Sequence, residues 1–217
     1  AAALTVVCQR ERIDALVLVD AGVDSLLRHD EQGLGTVTED AYSLLAAERA
    51  ARACATVRHV LLFAVGCGTE GGISEHDFLA NLQSVKRAGG LLASRELQLE
   101  MRGVRAYVDA VRACVPTNTT INMQIVAALE GNFGQHCPPE IVPRGVLPHH
   151  LWITPLHTWS WLFDARAIIA RKLFWQPLGS ATSTAHFSQI MREQRAAAKL
   201  IDKHGKYVGG RPYASMF

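Results

Sequence analysis

Long apolar runs, basic tracts and paired cysteines are all scarce in this sequence, and each shortage removes a class of protein. No stretch approaches the ~20 apolar residues of a membrane span; "IDALVLVDAGV" has only the length of a strand. The net charge is +2, and the basic residues are interspersed with acids. No Arg/Lys run is long enough to track a phosphate backbone, so nucleic acid is not an expected partner. The five cysteines, Cys8, Cys54, Cys67, Cys114 and Cys137, are odd in number and contain no C-x-x-C. Metal-knuckle and thioredoxin readings fail, and a disulfide framework is not expected in a chain of this size. The opening "AAALTVVCQRERID" lacks the basic n-region and the cleavage site of a signal peptide. The expectation is a reducing, cytoplasmic setting with most cysteines serving as small core residues. The chain starts without Met, which suggests that structure upstream is absent. A Walker lysine and a nucleophile elbow are missing too, which lowers the expectation of familiar phosphotransfer or acyl-transfer chemistry.

What is present is enough for one large globular domain: 217 residues, 49% hydrophobic and 19% charged. Residues 1–11 read as a helix end feeding a strand, Asp14–Asp20. Residues 38–55 read as a helix capped by Thr38, with Glu39 and Asp40 in its first turn. "RHVLLFAV", residues 58–65, is continuously apolar, as a strand covered on both faces should be. Ser74 caps a helix closed by Gly89 and Gly90, and "GLLASREL" is a third strand. "VRAYVDAVRACV" and "TINMQIVAALEG" read as helices, and "LWITPL" as a fourth strand. "TWSWLFDARAIIARKLF" and "HFSQIMREQRAAAKLIDKHG" read as amphipathic helices. Strands alternating with helices predict an α/β fold. The expected form is a doubly wound, mostly parallel sheet flanked by helices, Rossmann-like, with Asp14–Asp20 and Arg58–Val65 as interior strands. Residues 1–217 form a single domain on this reading, with a helical C-terminal part and tail over 175–217.

Ligands of such folds sit outside the carboxyl ends of the strands. "DAGVDSLLRHDE", residues 20–31, lies at one such end and carries four acids. Asp20 and Asp24 are candidates for catalysis, as a base, or for holding a divalent cation such as Mg²⁺. Gly22 permits a sharp exit from the strand, and Ser25 and Arg28 stand beside the acids. Asp30 and Glu31 read as a solvated turn. The second candidate is "GCGTEGG", where Gly66, Gly68, Thr69 and Glu70 follow a strand and precede a helix. Backbone N–H groups there suit an anion. Cys67 reads as a buried, inert thiol. Third, Asn118, Thr119 and Asn122 open a helix, some as caps and others facing the cleft. His136, His149, His150 and His157 lack the spacing of a zinc site, and His157 reads as part of an aromatic patch with Trp159 and Trp161.

The ordered set "LVLVDAGVDSLLRHDEQGLGT", "GCGTEGGIS", "RAGGLLAS", "NTTINMQIVAALEGNFG" and "LHTWSWLFD" resembles one uncharacterised family, domain of unknown function 1152, of archaea, bacteria and some protists. The likeness spans about Asp14 to Phe174. The resemblance implies D-G-G-T-D-S-L at the first motif. Asp20, Gly22, Asp24 and Ser25 match it, while Ala21 and Val23 depart. It implies an Asp where Glu70 stands, so an acid is kept. It also implies a Gly-rich strand and loop upstream, and a missing first βα unit would fit the absent Met. The resemblance brings no reaction with it. The expected activity is that of an enzyme on a phosphorylated or nucleotide-like small molecule. The alternative is a ligand-binding or regulatory module without chemistry. The expected partner is a small molecule, with no nucleic acid or membrane, and a homo-oligomer stays open.

Overall fold

The computed structural model describes residues 1–70, 73–114, 120–134 and 152–209. Helix α1 (Ala2–Arg10) leads into β1 (Ala15–Ala21), and α2 (Val37–Ala53) returns the chain to β2 (His59–Val65). The two strands pair in parallel, Ala15 opposite His59 through Ala21 opposite Val65. This is a βαβ unit, and it brings the carboxyl ends of both strands to one side. Helix α3 (Glu75–Arg87) starts where Ser74 Oγ accepts from Asp77 N at 3.0 Å, the cap expected from the sequence. It is followed by β3 (Leu91–Glu96), α4 (Arg102–Ala113) and α5 (Thr120–Leu129).

The expected fourth strand lies elsewhere. Leu151 is outside the described residues, and residues 155–158 form a single 3-10 turn. The strand is β4 (Trp159–Asp164), drawn from a segment whose period fits a helix. Its Trp- and Phe-rich half is short enough for either reading, and side-chain packing decides between them. Asp164 ends the strand and caps α6 (Ala165–Ile169) by accepting from Arg166 N at 2.9 Å. Then come α7 (Trp175–Leu178) and α8 (Thr184–Ala197).

Strand β4 inserts between β2 and β3, giving the order β1-β2-β4-β3 with β4 antiparallel to both neighbours. The described sheet is therefore mixed and mostly antiparallel, with one parallel pair. The fold is α/β, but the expected doubly wound, mostly parallel, Rossmann-like sheet does not form among these residues. Only one of the two strands expected inside the sheet is interior. β1 is an edge strand, with Val17 and Val19 exposed. An apolar strand was read as covered on both faces; here one face is buried and the other is largely open.

The core lies on the face that carries Leu16, Leu18, Val60, Leu62 and Phe163, under α2, α3 and α6. Phe78 of α3 meets Trp161 edge-on at 5.0 Å between ring centres. Cys8, Cys54 and Cys67 are buried thiols, as expected; Cys114 is exposed, and Cys137 lies outside the described residues. No helix among the described residues is long and apolar enough to cross a membrane.

Candidate functional site

The site assembles where β1 and β2 end. Gly22 N donates to Val65 O at 2.7 Å, so the chain leaving β1 stays beside the end of β2. Gly22 has φ +146°, and a Cβ built on it would lie 2.3 Å from Glu70 Cδ. The missing side chain lets Glu70 reach across from the loop after β2. Its Oε2 accepts from Val23 N at 2.7 Å and from Asp24 N at 3.2 Å. The two loops singled out in the sequence thus meet through one carboxylate. Gly22→Ala is expected to displace Glu70 and strain the turn, at a cost of about 1–3 kcal/mol. Denaturant unfolding with an unchanged midpoint would refute this.

Asp24 opens a one-turn 3-10 segment, Asp24–Leu26, and is only 2% exposed. Its Oδ2 accepts from the backbone N–H of Thr36 and from the Thr36 hydroxyl at 2.8 Å. Gly35 makes that approach feasible, since a Cβ there would stand 2.1 Å from the same oxygen. Asp24 Oδ1 and Asp40 Oδ2, from the first turn of α2, are buried oxygens that no N–H or hydroxyl group reaches. Asp24 instead shares side-chain hydrogen bonds with the carboxyls of Asp40 and Glu70. One oxygen each from Asp20, Asp24 and Asp40 lie within 4.8 Å of one another. Ser25 donates its hydroxyl to Asp20 Oδ2.

Such crowding disfavours ionisation. Burial first, and Asp24 second, push the carboxyls of Asp40 and Glu70 far above the usual range. Burial pushes Asp20 up to about 6, the Ser25 hydroxyl working against it. A buried lysine, Lys172, sits nearby and donates to Leu27 O at 2.9 Å. Burial pulls its pKa down to about 8, although Asp40, Glu31 and Asp24 favour its charge.

A cavity of about 410 Å³ opens onto these acids. Asp20, Ser25, Asp40, Glu70 and Asn122 line it, together with apolar residues such as Leu18 and Leu62. Among the residues singled out in the sequence, Asp20, Ser25, Glu70 and Asn122 converge there, with Asp24 against them. Gly66, Gly68 and Thr69 are not lining residues. Their loop closes on itself, with Thr69 Oγ1 donating to Gly66 O at 2.6 Å, and it packs on α5 through Gln124 Nε2 to Thr69 O at 3.2 Å. Cys67 sits in this loop, its thiol pushed up to about 12 chiefly by burial. Arg28 points elsewhere: its Nε lies 3.9 Å from Asp30 Oδ1, one of the acids read as a solvated turn. The other, Glu31, is in fact buried and accepts from Arg28 N, His29 N and Asn81 Nδ2 at 2.7–2.9 Å. Arg195 of α8 clamps the same loop through the carbonyls of His29 and Glu31. His157, read as part of an aromatic patch, is buried, its ring nitrogens on the carbonyls of Cys67 and Trp152. Asn118, Thr119, His136, His149 and His150 lie outside the described residues.

Asp40 is the site residue that sequence reading missed, because an acid in a first turn already has a role toward the helix dipole. Its signal was position. Asp40 falls one turn before Leu44 on the stripe that α2 buries, where a solvated acid has no place.

A carboxylate triad of this kind takes hard cations. Ca²⁺ binds oxygens at about 2.3–2.6 Å and Mg²⁺ at about 2.0–2.1 Å, and an oxygen spread of up to 4.8 Å is about twice the Ca²⁺ bond length. A search of the curated proteins found no match to the chain. A search of the solved structures found none either. The model of the family described as "Protein of unknown function (DUF1152)" matches residues 1–197, and the chain belongs to that family.

Proposed function

We propose that the protein is an enzyme that binds a phosphorylated or nucleotide-like small molecule beside a divalent cation held by Asp20, Asp24 and Asp40. The observation that carries this reading is the approach of one oxygen each from Asp20, Asp24 and Asp40 to within 4.8 Å of one another beside the cavity. Protons on Asp40 and Glu70 hold that cluster together, and a cation would take their place. The ion would polarise a bound water and the ligand's phosphoryl oxygen. Glu70, which lines the cavity and whose raised pKa keeps it protonated at neutral pH, is the general acid in this scheme. One observation favours a non-catalytic binding module instead: no His or Cys lines the cavity among the described residues.

The test is calorimetric titration with Mg²⁺, Mn²⁺ and Ca²⁺. It is followed by a melting-temperature screen of nucleotides and sugar phosphates with the bound cation present. A native-state ligand at a hundredfold its Kd stabilises by about 2.7 kcal/mol, a shift easily read. If no cation binds at 10 mM, the reading is wrong. Turnover of a ligand that raises the melting temperature separates the enzyme from the module.

A further inference from the structure

The geometry points to a second binding site, for a small organic anion, in a cavity bordered by α2, β2, α6 and α7. A phosphate or carboxylate head group lies on Arg52, Arg166 and Lys172, and its flat apolar body lies against Trp175. The inference goes beyond the reading above and needs no cation.

The cavity measures about 610 Å³, against about 410 Å³ for the one at the strand ends, and the two share no lining residue. Val60, near the amino end of β2, forms part of its wall, so this site is separate from the loops that follow the strands. The volume suits a small ligand.

The charged lining is three cations, Arg52, Arg166 and Lys172, against one acid, Glu48. Glu48 is engaged within the wall. One of its oxygens pairs with Arg52 at 2.5 Å, and the other accepts from Trp175 Nε1 at 3.2 Å. It fixes both side chains at the cavity and leaves Arg166 without a counter-charge. The Arg166 guanidinium has no hydrogen bond or ion pair among the described residues. Lys172 is only 6% exposed. Its Nζ donates to Leu27 O at 2.9 Å and stands 3.5 Å from His29 Nε2. His29 Nδ1 meets Leu173 O at 3.2 Å, which leaves Nε2 to accept. An ammonium carries three N–H groups, so one has no acceptor among the described residues. A buried donor without an acceptor is costly, and an oxyanion in the cavity that Lys172 lines supplies one.

Ala51, Val60, Ile169 and Ala170 give the cavity an apolar wall, and Trp175 adds a ring held in place through its Nε1. A guanidinium takes two oxygens of a phosphate or carboxylate at once, a match that a neutral ligand lacks.

The experiment titrates the protein, in EDTA so that no divalent cation contributes, with phenyl phosphate, benzoate, phenol and inorganic phosphate. Phenyl phosphate or benzoate is expected to bind roughly tenfold or more tightly than phenol, and the tighter of the two identifies the head group. Inorganic phosphate, which lacks the apolar body, should bind severalfold more weakly than phenyl phosphate. Arg166→Gln, an exposed change on a side chain without partners, should lower the affinity for the aromatic anion about fivefold or more and leave the melting temperature unchanged. Arg192→Gln, an exposed change on α8 outside the lining, removes the same charge and should leave the affinity as it was. No binding of either aromatic anion at 10 mM overturns the inference. So does phenol or inorganic phosphate binding as tightly as phenyl phosphate, binding that survives Arg166→Gln intact, or an equal loss in Arg192→Gln. The cation reading is judged separately, by the titrations with Mg²⁺, Mn²⁺ and Ca²⁺ in the absence of EDTA.

Discussion

Asp24→Asn is expected to leave the cation-free protein as stable as the parent, or more stable by about 1 kcal/mol, while lowering cation affinity at least a hundredfold. The carboxamide oxygen can keep the bonds from Thr36 N and Oγ1. Its NH₂ then turns toward the Asp40 carboxyl, which shares a side-chain hydrogen bond with Asp24 in the parent. One buried charge is removed and the contact with Asp40 is kept. A gain of this size raises the melting temperature by roughly 2–4 °C in a chain of this length. Asp24→Ala differs, because it strips the acceptor from Thr36 and should cost about 1–3 kcal/mol. Melting curves and cation titrations on both variants and the parent make the comparison. A loss of roughly 2 kcal/mol or more in Asp24→Asn would mark Asp24 as a purely structural acid and end the cation proposal.

Without a divalent cation, stability should fall as pH rises from about 6.5 to 8. Burial and Asp24 raise Asp40 to about 9 and Glu70 to about 8, against ordinary carboxyl values near 4. A group with a raised folded pKa stabilises fully below its unfolded pKa and loses that contribution as pH climbs through the folded value. Each proton held only by the folded state gives a slope of about 1.4 kcal/mol per pH unit. One net proton therefore lowers the melting temperature by roughly 3–6 °C per unit. The window is chosen around two neighbours. His29, which burial pulls down to about 3, loses stabilisation below about 6.5, and Lys172, at about 8, regains it above that value. Saturating Ca²⁺ or Mg²⁺ should flatten or reverse the trend, because the ion takes the place of the protons. Proton release on cation binding, measured in buffers of different ionisation enthalpy, is the direct readout. A melting temperature flat across this window with cation removed would contradict the crowded-acid picture.

Much of the site could be read in one dimension because its parts are local. Asp20 ends an apolar strand, Gly22 follows it, and Asp24 and Ser25 stand two and three residues beyond the glycine. A strand end, a turn and a short loop need no tertiary information to be placed together. Glu70 was legible for the same reason, as the acid in the loop after the second strand. Asp40 was not, because its meaning depends on which face of α2 turns toward β1. The packing of the glycine loop on α5, through Gln124 to Thr69 O, and the burial of Glu31 against Asn81 join residues 50 or more positions apart, and no local pattern encodes them.

By itself, the sequence determined α1 to α5 and α8, three of the four strands, and the parallel βαβ unit that carries β1 and β2. Period, caps and apolar runs are short-range signals, and the alternation of β1, α2 and β2 leaves one arrangement with short connections. Only the tertiary structure decided the rest of the sheet. "WSWLFD" satisfies the pattern of a helix and of a strand alike. It becomes β4 because Trp161 and Phe163 find Phe78, Ala64 and Leu62 to pack against, contacts from residues about a hundred positions earlier. That choice places β4 between β2 and β3, leaves β1 at the edge, and turns an expected parallel sheet into a mixed one. The convergence of Asp20, Asp24, Asp40 and Glu70 was settled in the same way, by long-range packing that sets α2 and the β2 loop against the end of β1.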